Sequence, residues 1–338
     1  MTRFFKLLLA AGLALAALAG LLYIVPSDQY IFLPDRAQPL APYVMVKGER
    51  SDHDGGGIYY VAVEVKKASV LEKLFHGLHE GSTLVPAAAV VAPGESDQEH
   101  QRQELRAMAQ SQEIGAAVAL RELGYRVGVK SPGTVIADVN PKGPSAGKLK
   151  ANDTIVSVNG RPTPFLPALR RAITRHAPGT PVSLRVRRDD SVRTVHVKTA
   201  ADPQQRQRSI IGVLTSCALQ TATKISLPLP VHIDLGQVGG PSAGLAFALD
   251  VVEELGHDID HGHKVAATGE MCLDGSVVPV GGLKQKTIGA KRAGAKVFLV
   301  PAGENAQEAR RYAGDMRVVP VHSFRQALRA LTTLGEKQ

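Results

Sequence analysis

Tryptophan is missing from the 338-residue chain, aromatic residues make up 4% of it, and only two cysteines, Cys217 and Cys272, are present. So few cysteines exclude a disulfide-built small fold and leave open whether the two pair or stay free. The net charge of +9 comes without zinc-finger spacing, an aromatic RNA-binding motif or a concentrated basic run. It therefore reads as a solvated basic surface facing anionic lipid or envelope polymer, and no nucleic-acid partner is expected. The metalloprotease pattern H-E-x-x-H is absent. His257-Asp258-Ile259-Asp260-His261-Gly262-His263 gathers ligand-type residues without that spacing and reads as a solvated loop, so no metal and no cofactor are expected. Long apolar runs are scarce, with one exception. Leu7–Val25 has no charged residue and follows Arg3 and Lys6. It is long enough to cross a hydrocarbon core of about 30 Å. The positive flank favours a cytoplasmic N-terminus with the remainder outside. Ala17-Leu18-Ala19 has the small-residue pattern of a cleavage site, but the apolar run continues beyond it. Residues 1–26 are read as an uncleaved signal anchor, with membrane lipid as the partner of residues 7–25.

Hydrophobic residues at 44% are enough to fill the cores of two modest domains. Pro26, Pro34, Pro39 and Pro42 make the segment after the anchor extended and turn-rich, and residues 27–110 are read as a stalk and connecting region without chemistry. Within it Ile58–Val65 has the pattern of a strand and Asp97–Leu123 that of a long helix. From Gly124 the chain turns to short strands, Val127–Val129, Val135–Val139 and Thr154–Val158, separated by Gly, Pro and Asn turns. A helix over Phe165–His176 and strands Val182–Arg187 and Val192–Val197 follow.

Two later stretches carry the chemistry. In Val238-Gly239-Gly240-Pro241-Ser242-Ala243-Gly244 the serine lies between glycines and ahead of an amphipathic helix containing Leu245, Ala248, Leu249, Val252 and Leu255. A serine at a helix N-terminus has unpaired N–H groups beside it that can stabilise an oxyanion. The bland reading is a helix cap, since serine is among the commonest N-caps. In Gly281-Gly282-Leu283-Lys284-Gln285-Lys286, Lys286 shares a helical face with Leu283, Ala290 and Ala293, whereas Lys284 lines up with Lys291 and Arg292. Lys286 is therefore expected to point inward. Burial near a helix N-terminus disfavours its cation, and a neutral amine can serve as general base.

GGPSAGLAFALDVVEEL, ATGEMCLDGSVVPVGGLKQK and KRAGAKVFLVP, in this order, resemble the proteolytic domain of the Lon protease family. The resemblance implies a Ser–Lys dyad made of Ser242 and Lys286, with Thr268 of the TGE segment orienting the lysine. ATP-dependent members usually have an aspartate where this chain has Gly239; the GGPSAG form is similar to membrane-anchored, PDZ-containing Lon-like proteins of bacteria. Pro141–Lys150 and Asn152–Gly160 resemble the bacterial PDZ pattern, with Asn152-Asp153 in place of Gly-Asp. PDZ domains take a peptide as an added strand and often hold its C-terminal carboxylate. Gly124-Tyr125-Arg126-Val127-Gly128-Val129 is the candidate carboxylate loop, and Phe165–His176 the helix lining the groove.

The expected fold is α+β: an N-terminal transmembrane helix, a PDZ-like β-rich domain over residues 111–200 and a Lon-type proteolytic domain over residues 205–338. The expected function is an ATP-independent serine endopeptidase outside the membrane, acting on flexible or unfolded polypeptides that the PDZ groove recruits through their C-termini. The resemblance implies a homo-oligomer, a hexamer. Gly143-Pro144-Ser145-Ala146-Gly147 repeats GPSAG without the following helix, so Ser145 is read as a structural turn residue. Gly143–Lys148 also mimics a P-loop, but its gap is one residue short and the final Ser/Thr is missing. An α/β-hydrolase would pair Ser242 with Asp274 or Asp315 and His322, but no oxyanion loop of that type precedes Ser242. Asp234, upstream of the serine, is a further carboxylate near the site. A non-catalytic PDZ peptide-binding envelope scaffold is the alternative function.

Overall fold

The computed structural model describes residues 2–47, 55–75, 77–91, 94–131, 133–189, 191–203, 205–215, 217 and 224–335. Helix α1, Thr2–Ile24, buries none of its apolar span in the protein and meets helix Val70–Leu74 and strand Val63–Ser69, and Phe4–Ile24 is long and apolar enough to cross a membrane. Strand Pro26–Pro34 follows at once and pairs antiparallel with Val63–Ser69 on one side and Thr83–Pro86 on the other. Helix α2, Val70–Leu74, opens on a reciprocal capping box between Ser69 and Glu72.

The central sheet has the order Gln38–Pro39, Gly57–Tyr60, Lys264–Ala267, Val297–Pro301 and Arg317–Val321. Its last four strands are mutually parallel and the edge pair 38–39 is antiparallel. Strand 297–301 is buried throughout, as a parallel strand covered on both faces must be. Side chains alternate between two cores. Val265, Ala267, Val297 and Leu299 face α3 (Asp97–Glu122), α5 (Gly244–Glu254) and α8 (Phe324–Gly335). Ala266, Phe298 and Val300 face α6 (Leu283–Arg292) and α7 (Glu304–Tyr312).

The segment expected to be a stalk is thus built into this body. Gly57–Tyr60 is an inner strand of the sheet, and α3 buries Ile114, Ala116 and Ala117 against α5. A β-carbon on Gly115 would come within 2.9 Å of Phe247 Cβ, so glycine permits the close approach of α3 and α5. Nothing local announces this packing, because strand 57–60 finds its parallel partner at residues 264–267, far along the chain.

Between α3 and residue 224 the chain makes a separate β-rich module. Strands Thr154–Val158, Pro181–Arg188 and Ser191–Lys198 form an antiparallel sheet with Thr134–Val135 and Arg161–Pro162 at its sides. Helix α4, Leu166–Thr174, drives Leu169 and Ile173 into a core with Ile155, Leu184 and Val186. Asp153 ties this module together through a two-point pair with Arg188, at 2.6 and 2.7 Å. The expected strand 135–139 divides in two, and its second half, Asp138–Val139, pairs with Val213–Leu214. A disulfide joins Cys217 to Cys272 with Cα atoms 5.1 Å apart, and it packs with Leu166 of α4 and Val278.

Candidate active site

The serine loop is shaped before its helix begins. Gly240 adopts φ +88°, Pro241–Ala243 makes one 3-10 turn, and α5 starts at Gly244. The N-cap of α5 is Ala243, with no side-chain cap bond. Ser242 therefore does not cap α5. Backbone bonds pin the loop instead: Gly240 N–H donates to Glu104 O at 2.9 Å, Ser111 Oγ to Pro241 O at 2.9 Å and Gly269 N–H to Ser242 O at 2.8 Å. Ser242 itself is half-buried.

Thr268 follows strand Lys264–Ala267 and is buried. Its N–H donates to Leu299 O at 3.0 Å, which extends the sheet by one residue. Its hydroxyl donates to Ser242 O at 3.1 Å and accepts from Lys286 Nζ at 3.4 Å, a long bond. The chain then breaks at Gly269, φ +148°, and re-pairs as Glu270–Met271 against Val277–Val278. The apolar run Lys264–Leu273 is two strands parted at Thr268-Gly269. The second strand forms a hairpin around Asp274-Gly275, with Asp274 accepting from Ser276 N–H and Oγ at 3.1 and 2.8 Å.

Lys286 stands one turn into α6, with Leu283 and Ala290 also buried on the helix, while Lys284 turns out to donate to Ser82 O at 2.9 Å. Only 4% of Lys286 is exposed, too little for hydration to stabilise the ammonium ion. Burial brings its pKa down to about 7, and the charge of Glu104 opposes that fall.

Glu104 was not singled out from the sequence. It lies on α3 at helical spacing from buried Met108 and Ser111, the signal that marks its face as inward. Its carboxyl is pushed up by burial, held back by His100 and Lys286, and pushed up further by Glu95. It also accounts for two glycines. A β-carbon on Gly239 would sit 2.7 Å from Glu104 Cβ, and one on Gly240 would sit 2.9 Å from Glu104 Oε2. A side chain at 239 would thus displace α3.

The other candidates have structural tasks. Ser145 is buried and donates to Ile211 O at 2.6 Å. Asp234 accepts from Gly236 N–H at 2.8 Å in its own loop. His322 is exposed, and its N–H donates to Gln326 Oε1 at 2.9 Å near the start of α8. In the loop 257–263, Asp258 and Asp260 meet Glu253 of α5. These carboxylates order the loop: Glu253 accepts from the N–H groups of Ile259 and Asp260, both at 2.7 Å, and Asp258 from that of His261 at 2.8 Å.

Residues 121–199 match the family model of the PDZ domain, and residues 215–333 match that of the Lon protease (S16) C-terminal proteolytic domain. Residues 215–333 are thus similar to the proteolytic domain of the Lon protease family. Relatives include Lon protease 2 of Thermus thermophilus, 35% identical over 96 residues covering 25% of this chain and 12% of the relative. Lon protease 2 of Bacillus subtilis is 36% identical over 123 residues, 36% of this chain and 22% of the relative. Lon protease of Campylobacter concisus is 44% identical over 75 residues, 22% of this chain and 9% of the relative. The chain thus spans less than a quarter of the length of these relatives. Among solved structures, the PDZ domain of the SdrC-like protein of Listeria monocytogenes is matched over 25% of this chain and 90% of that chain, at 21% identity and a TM-score of 0.24. Ser242, Thr268 and Lys286 all lie within the matched Lon segment, whereas Glu104 and strand 57–60, which pairs with Lys264–Ala267, lie outside it.

Proposed function

We propose that the protein is a membrane-anchored serine endopeptidase that uses a Ser242–Lys286 dyad without ATP. The supporting observation is the Thr268 hydroxyl, bonded both to the backbone of Ser242 and to the amine of a lysine whose burial favours the neutral base. Lys286 Nζ takes the hydroxyl proton as Ser242 Oγ adds to the scissile carbonyl carbon. The C–N bond then breaks, the proton passes to the leaving amine, and an acyl ester remains on Ser242. Water deprotonated by the same amine adds to that ester, the bond between Ser242 Oγ and the acyl carbon breaks, Oγ takes the proton back from Lys286 Nζ, and the acid product leaves. The N–H groups of Gly244 and Leu245 at the start of α5 are bound to Pro241 O and Gly269 O, so the developing oxyanion falls to other backbone N–H groups beside Ser242, a contribution of about 3 kcal/mol per donor in serine hydrolases. Thr268 fixes the direction of the lysine amine.

These 338 residues contain no P-loop sequence, and the cleavage proposed here is carried by the dyad itself. The substrates in this reading are flexible or unfolded polypeptides, presented to the PDZ module as extended strands. The positive flank of α1 supports an orientation with both domains outside the membrane, and family resemblance points to a hexamer. Ser242→Ala and Lys286→Ala each abolish casein cleavage in this reading, and Ser145→Ala does not. Peptide binding without cleavage, unchanged in Ser242→Ala, would instead establish a scaffold.

A further inference from the structure

The strand that follows the candidate carboxylate loop, where a PDZ ligand is expected to add, is already paired with the protein's own chain. The candidate carboxylate loop leads into strand Gly128–Lys130. That strand pairs antiparallel with Lys224–Ser226, in the register Lys224 with Lys130, Ile225 with Val129 and Ser226 with Gly128. Such pairing is the arrangement β-augmentation produces with a separate peptide. Among the described residues, strand 128–130 has no other ladder partner. The same stretch of chain touches the groove helix as well, for Cys217 packs on Leu166 of α4. Ile225 and Val129 then press together on the core shared by α3 and α5.

We propose that Lys224–Ser226 is an intramolecular ligand of the PDZ domain, and that an extended polypeptide binds strand 128–130 by displacing it. This rests on the reading above that the PDZ module receives peptides. The Cys217–Cys272 disulfide anchors the chain just upstream of this segment to the hairpin that follows Thr268, so the ligand stays close to its groove. Tethering gives the segment a high effective concentration, and an external peptide must compete with it. Displacement also has a route to the catalytic side. Helix α4 leans on the same hairpin through Leu166 against Cys272 and Val278, and through the Arg171–Asp274 ion pair at 3.9 Å. Downstream, Val231–Ile233 is tied to Val44–Val46 at the catalytic core, so release extends no further than the residues before it.

The test uses the full chain in detergent and a fluorescein-labelled peptide copying Lys224–Leu229, with binding read by anisotropy. The measurement is repeated on Ile225→Pro, which disrupts the pairing strand, on the double variant Cys217→Ser with Cys272→Ser, and on Val129→Pro, which spoils the receiving strand. Hydrogen exchange of residues 128–130 and 224–226 is followed in the wild type with and without saturating peptide. If the segment holds the groove nine-tenths of the time or more, Ile225→Pro binds at least about tenfold tighter than the wild type, and the double variant falls between them. Val129→Pro loses binding, and in the wild type peptide keeps 128–130 protected while 224–226 begins to exchange. Equal affinity in the wild type and Ile225→Pro, with 224–226 still protected at saturation, overturns the intramolecular ligand and leaves peptide recruitment standing. Binding by none of the four proteins overturns recruitment itself, and the proposal with it.

Discussion

Lys286 lies buried on α6 with a carboxylate, Glu104 of α3, acting on its charge. In Glu104→Gln the opposition to the lysine's fall in pKa is gone. The rising limb of the rate against pH, centred near the pKa of about 7, then moves to lower pH, while KM for a flexible substrate changes little. A limb that stays in place separates Glu104 from the base. The same lysine makes stability depend on pH. The unfolded chain holds this proton up to its ordinary pKa of 10.5 and the folded protein only up to about 7, so the unfolded state binds more protons in that window. Stability therefore rises with pH between those values. Lys286→Met, which removes the group, is expected to melt higher at neutral pH and to lose that advantage above pH 10. At this scale much was legible: the serine between glycines, and the choice of Lys286 over Lys284 by helical face. Glu104 was not, because its partners on the serine loop and α6 are distant in sequence and the half of α3 that carries it looks solvated.

Helix α6 and the helix after Ser242 follow their periodicity closely, since both bury one apolar stripe. Strands fared differently wherever the site interrupts them. Val265 through Leu273 is apolar enough to read as one strand, yet the chain turns at Thr268-Gly269 to bring the hydroxyl and a backbone N–H onto Ser242. No local propensity encodes that break. Its cost is visible at Gly269, where φ is +148° and a β-carbon would lie 2.6 Å from Val277 Cγ1. Gly269→Ala is expected to lose about 1–3 kcal/mol of stability in denaturant melts. It should also lower kcat, since Thr268 and the neighbouring N–H move together. A variant as stable as the wild type would contradict the strain assigned there.

Over the whole molecule, the order of apolar helix, β-rich module and α/β body was readable from composition and motifs, but the body's extent was not. Segment 26–122 supplies two sheet strands and the α3 helix to a domain whose motifs all lie beyond residue 224, and parallel pairing over such a distance leaves no local trace. The disulfide adds a long-range restraint between residues 55 apart. Closing a loop of that size is worth about 2–4 kcal/mol. Cys272→Ser should lower the denaturant midpoint accordingly, and an unchanged midpoint would show that the bond contributes little to the folded state. The central claim remains the dyad. The most direct measurement incubates the full chain in detergent with casein, without ATP, beside Ser242→Ala, Lys286→Ala and Ser145→Ala. The account predicts cleavage by the wild type and Ser145→Ala, and a loss on the order of 10⁴-fold or more in the other two. Cleavage that persists in Lys286→Ala, or that appears only when ATP is added, would contradict it.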